Sequence, residues 1–120
     1  MEKRKPAQSF RDLIVWQKAH LLALGVYQMT KSFPREELYG STSQVKRSSV
    51  SVAANIAEGF KKKGKADKLK YLNIAQGSLS ETEYYLILAK DLDYFDSNKL
   101  MKDASEVGRL LESYMSAIGN

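Results

Sequence analysis

The side chains that could do chemistry in this sequence are few. It has one histidine and no cysteine, so disulfides, thiolate metal sites and a cysteine nucleophile are excluded. A carboxylate-bridged di-iron bundle needs a Glu-x-x-His pair on each of two helices. Here the residue three before His20 is Gln17, and no second histidine exists. The spacing places His20 on an inward helical face, as a packed ring with one nitrogen bonded. Glu58, Glu81 and Glu83 could form an acid-base pair if their surroundings separated their pKa values. No nucleophile arrangement or phosphate cradle accompanies them, and Gly64-Lys65 is followed by Ala66 where a Walker motif requires Ser or Thr. The sequence therefore assigns no catalytic residue, no metal ligand and no cofactor, and the expected class is non-enzymatic.

The cations carry a sharper signal. Lys61, Lys62, Lys63, Lys65, Lys68 and Lys70 fall within ten residues. One or two lysines suffice to complement the negative end of a helix dipole; six exceed that need. Lysine meets phosphate as a point charge without base specificity, so this stretch reads as a phosphate-binding corner. Lys46 and Arg47, and Lys3-Arg4-Lys5 in the tail, are expected to extend it. Residues 1–70 hold fifteen Lys/Arg against six Asp/Glu, whereas residues 71–120 hold four against eight. Such polarity favours an anionic partner, head-to-tail self-association, or both.

Four helical periods must position these groups. Leu13, Trp16, His20, Ala23, Tyr27 and Thr30 recur at three- and four-residue steps, widened by Leu21 and Leu24, and predict a first helix from about Asp12 to Ser32. Pro34 stops it by pushing Phe33 out of the α region. Pro34–Glu37 reads as a short helical turn, and Ser41 or Thr42 caps a second helix to about Lys63. Its inward face is Val45, Ser49, Val52, Ile56 and Gly59 or Phe60. A third helix spans Ala66 to Leu92 with Leu72, Ala75, Leu79, Thr82, Leu86 and Ala89 inward. Asp96 or Ser97 caps a fourth, in which Leu100, Ala104, Val107, Leu111, Tyr114 and Ile118 repeat without a slip. Helices of about 20 residues joined by short corners imply antiparallel neighbours. The fold expected is all-α, an antiparallel up-down-up-down four-helix bundle over residues 10–120, preceded by a flexible basic tail at 1–9. The start of the chain lacks an apolar signal region, and no apolar run approaches the ~18 residues of a membrane span. A cytoplasmic protein without a membrane partner is expected.

A polar stripe, Arg47, Ser51, Asn55, Glu58 and Lys62, runs along helix two beside the main seam. If it meets Ser78 and Glu81 across a helix pair or a subunit boundary, it fixes register by hydrogen bonding. Gly77 leaves a bare spot on helix three that could admit another backbone or a large ring. Asn55, Glu58, Gly77, Ser78, Glu81 and Glu83 are accordingly expected at an interface or in polar packing. Tyr39, Tyr84, Tyr85 and Tyr94 exceed the needs of a small core and suit an interface.

Several segments taken together carry a family resemblance. They are Phe10-Arg11-Asp12-Leu13-Ile14-Val15-Trp16-Gln17-Lys18-Ala19, Phe33-Pro34 with Glu37-Leu38-Tyr39-Gly40, the run from Gln44 to Gly59, and Gly77-Ser78-Leu79-Ser80-Glu81-Thr82-Glu83. In this order they resemble the bacterial four-helix-bundle family encoded by intervening sequences in 23S ribosomal RNA genes. Helix four resembles it in pattern only. Thr82 departs from the family's usual larger apolar residue, which implies looser packing there. The resemblance implies a homopentameric barrel and kinship with the nucleic-acid-binding accessory protein of diversity-generating retroelements. It implies no activity, and the family's ribosomal-protein label follows gene position. The function expected is that of a homo-oligomeric RNA- or DNA-binding accessory factor acting through Lys61–Lys70. The alternatives are a protein-interaction scaffold without nucleic-acid binding and, third, a small-molecule or metal enzyme in the bundle centre.

Overall fold

Ser9 closes a reciprocal cap ahead of the first helix. Its Oγ accepts from the Arg11 N–H at 3.2 Å, while Asp12 Oδ2 accepts from the Ser9 and Gln8 N–H groups at 3.2 and 3.0 Å. This satisfies backbone donors left orphaned at a helix entrance. The structure, a computed structural model, describes residues 6–119; the tail cations Lys3, Arg4 and Lys5 lie outside the described residues. Of the segment expected to be a tail, the described residues Gln8 and Ser9 take part in this cap.

Four helices follow: α1 (Ile14–Thr30), α2 (Ser43–Lys61), α3 (Lys65–Asp91) and α4 (Asn98–Gly119). Each packs against its two neighbours in a closed order, α4 returning to α1. The result is the expected four-helix bundle, 47 × 32 × 20 Å, with no strand among the described residues. In α2, Val45, Ser49, Val52, Ile56 and Gly59 are buried, and in α3 all six expected inward residues are buried. In α4, Leu100, Ala104, Val107 and Leu111 are buried, while Tyr114 and Ile118 pack on the margin of the core.

Helix α1 is rotated from expectation. Its buried stripe is Val15, Ala19, Leu22, Val26 and Met29, joined by Ala23 and Thr30. Trp16 is half-buried and His20, Leu21, Leu24 and Tyr27 are exposed. The helix is apolar nearly all round, so its sequence offers two seams at the same period. The aliphatic seam fits the crowded bundle axis, and the aromatic seam is turned aside to face α2. His20 is thus not an inward packed ring: it stacks on Trp16 at 5.1 Å with planes 7° apart.

The connections explain the remaining boundaries. Between α1 and α2 the chain makes two short helical turns, Arg35–Glu37 and Leu38–Thr42, broken at Gly40. Between α3 and α4, Asp93 occupies the left-handed region at φ 58°. Its N–H donates to the Lys90 carbonyl at 3.0 Å, and the Tyr94 N–H to the Ala89 carbonyl at 2.9 Å. This pair of bonds is the glycine-type helix stop, made here with aspartate. Asp96 Oδ1 accepts from the Asn98 N–H at 3.2 Å and caps α4. Ser97 is buried instead, its hydroxyl donating to the Leu86 carbonyl of α3 at 2.6 Å.

Candidate nucleic-acid interface

Three residues, Lys62 to Gly64, separate α2 from α3, so all six lysines of the 61–70 segment gather at one end of the bundle. The geometry divides them into two groups. Lys68 reaches back across the corner, and its Nζ donates to the carbonyls of Phe60 at 2.7 Å and Gly59 at 3.4 Å. These are among the last carbonyls of α2, beyond the reach of its regular i+4 donors; Gly59 also accepts from the Lys62 N–H at 3.3 Å, and the ammonium meets the negative dipole end. Lys62 is half-buried, 3.6 Å from Glu58 Oε2 and 5.0 Å from the centre of the Tyr71 ring. Lys68 and Lys62 are therefore engaged in holding the corner.

Lys61, Lys63, Lys65 and Lys70 are exposed, and none forms an ion pair among the described residues. Lys61, Lys63 and Lys65 flank the turn, and Lys70, farther along α3, also lies 5.9 Å from the centre of the Tyr71 ring. Lys46 and Arg47 do not join them. At about 1.5 Å of rise per residue they stand roughly 20 Å up α2 from Lys61. Lys46 sits over the Tyr27 ring at 4.9 Å, facing α1, and Arg47 is exposed. The expected single basic footprint is thus two separate cationic areas.

Three of the polar residues singled out in the sequence, Ser51, Asn55 and Ser78, take part in a hydrogen-bonded seam between α2 and α3 within one chain. Ser51 Oγ and Ser78 Oγ lie 2.8 Å apart, and Asn55 Nδ2 donates to the Ser51 carbonyl at 2.8 Å and to its hydroxyl at 3.0 Å. One turn away, Ser48 Oγ and Thr82 Oγ1 lie 2.8 Å apart, and Thr82 donates to the Ser78 carbonyl at 2.9 Å. Buried hydroxyls left unpaired cost about 1–3 kcal/mol each; paired as they are, they fix the register of the two helices. Thr82, the departure from the family pattern, is fully buried with its hydroxyl bonded to both Ser48 and the Ser78 carbonyl. Glu81 stays exposed, and Glu83 lies in the shallow cleft between α3 and α4 beside Arg109. Gly77 faces open space, with nothing within 4 Å of where a Cβ would stand.

An open groove of about 430 Å³ runs between α1 and α2. Trp16, His20, Leu24 and Tyr27 form one wall, and Val50, Ala54 and Ala57 the other. Sequence reasoning missed it, because it assigned the aromatic stripe of α1 to the core. The signal was present in the second apolar stripe, Trp16-His20-Tyr27 with Leu24. At the far end of the bundle from the lysines, Tyr94 donates to Glu37 Oε2 at 3.0 Å and packs on Phe33 with ring centres 5.3 Å apart. That bond to a carboxylate, then desolvation and the nearby negative charge, raise the phenol's pKa above its ordinary value. Burial raises that of Tyr114. Among the described residues no cluster of three or more His, Asp or Glu side chains is placed to hold a metal ion, and no helix is long and apolar enough to cross a membrane.

These features define an all-α four-helix-bundle protein with one cationic end and a hydrogen-bonded seam. The chain belongs to the 23S rRNA-intervening sequence protein family, whose model matches residues 11–113. It is also similar to a crystal structure from Bacteroides thetaiotaomicron of a protein of unknown function from the S23 ribosomal protein family. That likeness has 28% identity and a TM-score of 0.76, and it covers 85% of this chain and 98% of the other. No curated protein matches the chain.

Proposed function

We propose that this protein is a non-enzymatic, homo-oligomeric, cytoplasmic nucleic-acid-binding factor that holds phosphate backbones with its cationic end. The observation that carries the reading is the group Lys61, Lys63, Lys65 and Lys70, exposed around a short corner without an ion-pair partner among the described residues. Such ammonium groups contribute sequence-independent attraction to RNA or DNA through release of condensed counterions. Self-association strengthens it: in the pentamer implied by the sequence resemblance, a formal +5 per chain becomes about +25 around one ring. Kinship with the accessory protein of diversity-generating retroelements, drawn from the same resemblance, supports the same function.

Fluorescence anisotropy with labelled single- and double-stranded RNA and DNA tests it. Between roughly 50 and 200 mM salt the affinity should fall steeply, by about 0.7–0.9 in log–log slope per phosphate neutralised. Replacing Lys61, Lys63, Lys65 and Lys70 together by Gln should flatten that slope while helix content is unchanged. A salt-independent isotherm, or a variant that binds like the wild type, refutes the reading. A protein-interaction scaffold is the second reading, favoured by Tyr39, which is 91% exposed beside the half-exposed Leu38.

A further inference from the structure

Two aromatic rings lie within the lysine corner, and their surroundings differ. Phe60, at the end of α2, is half-buried and has Lys68 Nζ 5.6 Å from its centre. That ammonium is fixed by its bonds to the Phe60 and Gly59 carbonyls, so this ring is already covered. Tyr71, on the second turn of α3, is half-buried as well. Its centre lies 5.0 Å from Lys62 Nζ and 5.9 Å from Lys70 Nζ. Lys62 is held by Glu58 at 3.6 Å. Lys70 is exposed and forms no ion pair among the described residues, and it stands at the outer limit of a cation–π contact, about 6 Å. A ring that an exposed ammonium reaches presents π surface to solvent and not only to the core.

A π surface beside free lysines suits a ligand that offers flat rings as well as phosphates. Every nucleobase has a π face, and aromatic side chains stack on such faces without regard to sequence. In a duplex those faces are closed within the stack of base pairs, and a half-buried ring does not reach between them. In a single strand they are free. Tyr71 stands about 9 Å along α3 from Lys65 and next to Lys70, so a base on its ring leaves the neighbouring phosphates among the exposed lysines. The base replaces the Lys70 ammonium over the ring, and that ammonium turns to a phosphate.

We propose that the corner takes single-stranded RNA or DNA, with a base stacked on Tyr71 and the flanking phosphates held by Lys70 and the exposed lysines of the turn. This rests on the proposed function and names the form of nucleic acid that the same site selects.

Anisotropy titrations with a thymidine strand of about 10 nucleotides, an abasic strand of equal length and a duplex test it. The abasic strand keeps every phosphate and lacks every base. The wild type should bind the thymidine strand roughly tenfold more tightly than the abasic one, the effect of a single stacked base. Tyr71→Leu should remove that advantage and leave the affinities for the abasic strand and the duplex as they were. No phosphate contact is lost, so the salt slope of Tyr71→Leu should equal that of the wild type. Tyr71→Phe, which keeps the ring, and Phe60→Leu, which alters the covered one, should both retain the advantage. The same titrations with ribose strands tell RNA from DNA. Circular dichroism checks that helix content is kept; if Tyr71→Leu loses it, the thymidine and abasic strands compared on the unaltered protein decide alone. Equal binding of those two strands overturns the stacking while the phosphate reading stands. So does a folded Tyr71→Leu that keeps the advantage, or one that loses as much affinity for the duplex as for the single strand. A wild type that binds no strand overturns both readings together.

Discussion

Lys68 and Lys63 differ by five positions in the same cationic run, yet the structure gives them opposite duties. Lys68 Nζ bonds two terminal carbonyls of α2, at 2.7 and 3.4 Å, whereas Lys63 is exposed and forms no ion pair among the described residues. Lys68→Met keeps most of the aliphatic stem and removes the charge. A well-enclosed charged hydrogen bond contributes about 1.5–3 kcal/mol, and a cation at a helix C-terminus about 0.3–1 kcal/mol. Lys68 is half-exposed, so screening by solvent reduces the combined effect to about 1.5 kcal/mol. For a domain of this size that corresponds to a Tm lower by about 6 °C. Lys63→Met should change stability by less than about 0.5 kcal/mol but reduce the salt slope of nucleic-acid binding by about 0.7–0.9. Thermal melts followed at the helical band, with anisotropy on the same samples, measure both. A Lys68→Met protein that melts with the wild type, or a Lys63→Met protein that loses as much stability, refutes the division of the corner into capping and binding lysines.

Asp93→Gly should raise stability by about 1 kcal/mol, seen as a higher urea midpoint, because the left-handed conformation at φ 58° costs an L-residue about 1–2 kcal/mol. Asp93→Val, β-branched at the same φ, should lower it. The raised pKa of Tyr94 makes folding pH-dependent at the alkaline end. Below the unfolded phenol's pKa of about 10 its hydrogen bond contributes in full; above that value the unfolded chain ionises first, and stability falls as pH rises through the folded pKa. Tyr94→Phe should lower stability at neutral pH and flatten this alkaline decline, read from urea midpoints between about pH 8 and 11.

The helices that were legible in the sequence are those whose apolar residues form a single stripe. In α3 the run from Leu72 to Ala89 and in α4 the run from Leu100 to Leu111 have polar flanks, and the buried residues are those the period indicates. Helix α1 defeated the same reasoning, since Val15-Ala19-Leu22-Val26 and Trp16-His20-Tyr27 are both apolar at helical spacing. Which stripe turns inward depends on the shape of the space that three other helices leave, and a single sequence does not contain that shape. The lysine corner was legible as a cluster because its members are adjacent in sequence. The diversion of Lys68 to capping was not, because it depends on how α3 folds back over the last turn of α2. The partnership of Ser51 with Ser78 was legible as a possibility from periodicity alone; the 2.8 Å between their hydroxyls places it within one chain.

An even number of antiparallel helices returns the chain to its starting side. Phe10 shares a groove with Ala57 of α2, and Leu13 shares a cleft with Tyr114 of α4, so both the entry to α1 and the exit from α4 lie at the end that bears the lysines. Any polypeptide fused before Phe10 or after Ile118 therefore emerges beside the cationic turn. A polyhistidine or acidic purification tag would compete there with the ligand under study, and a fluorescent label is better attached at the opposite pole, near Asp93.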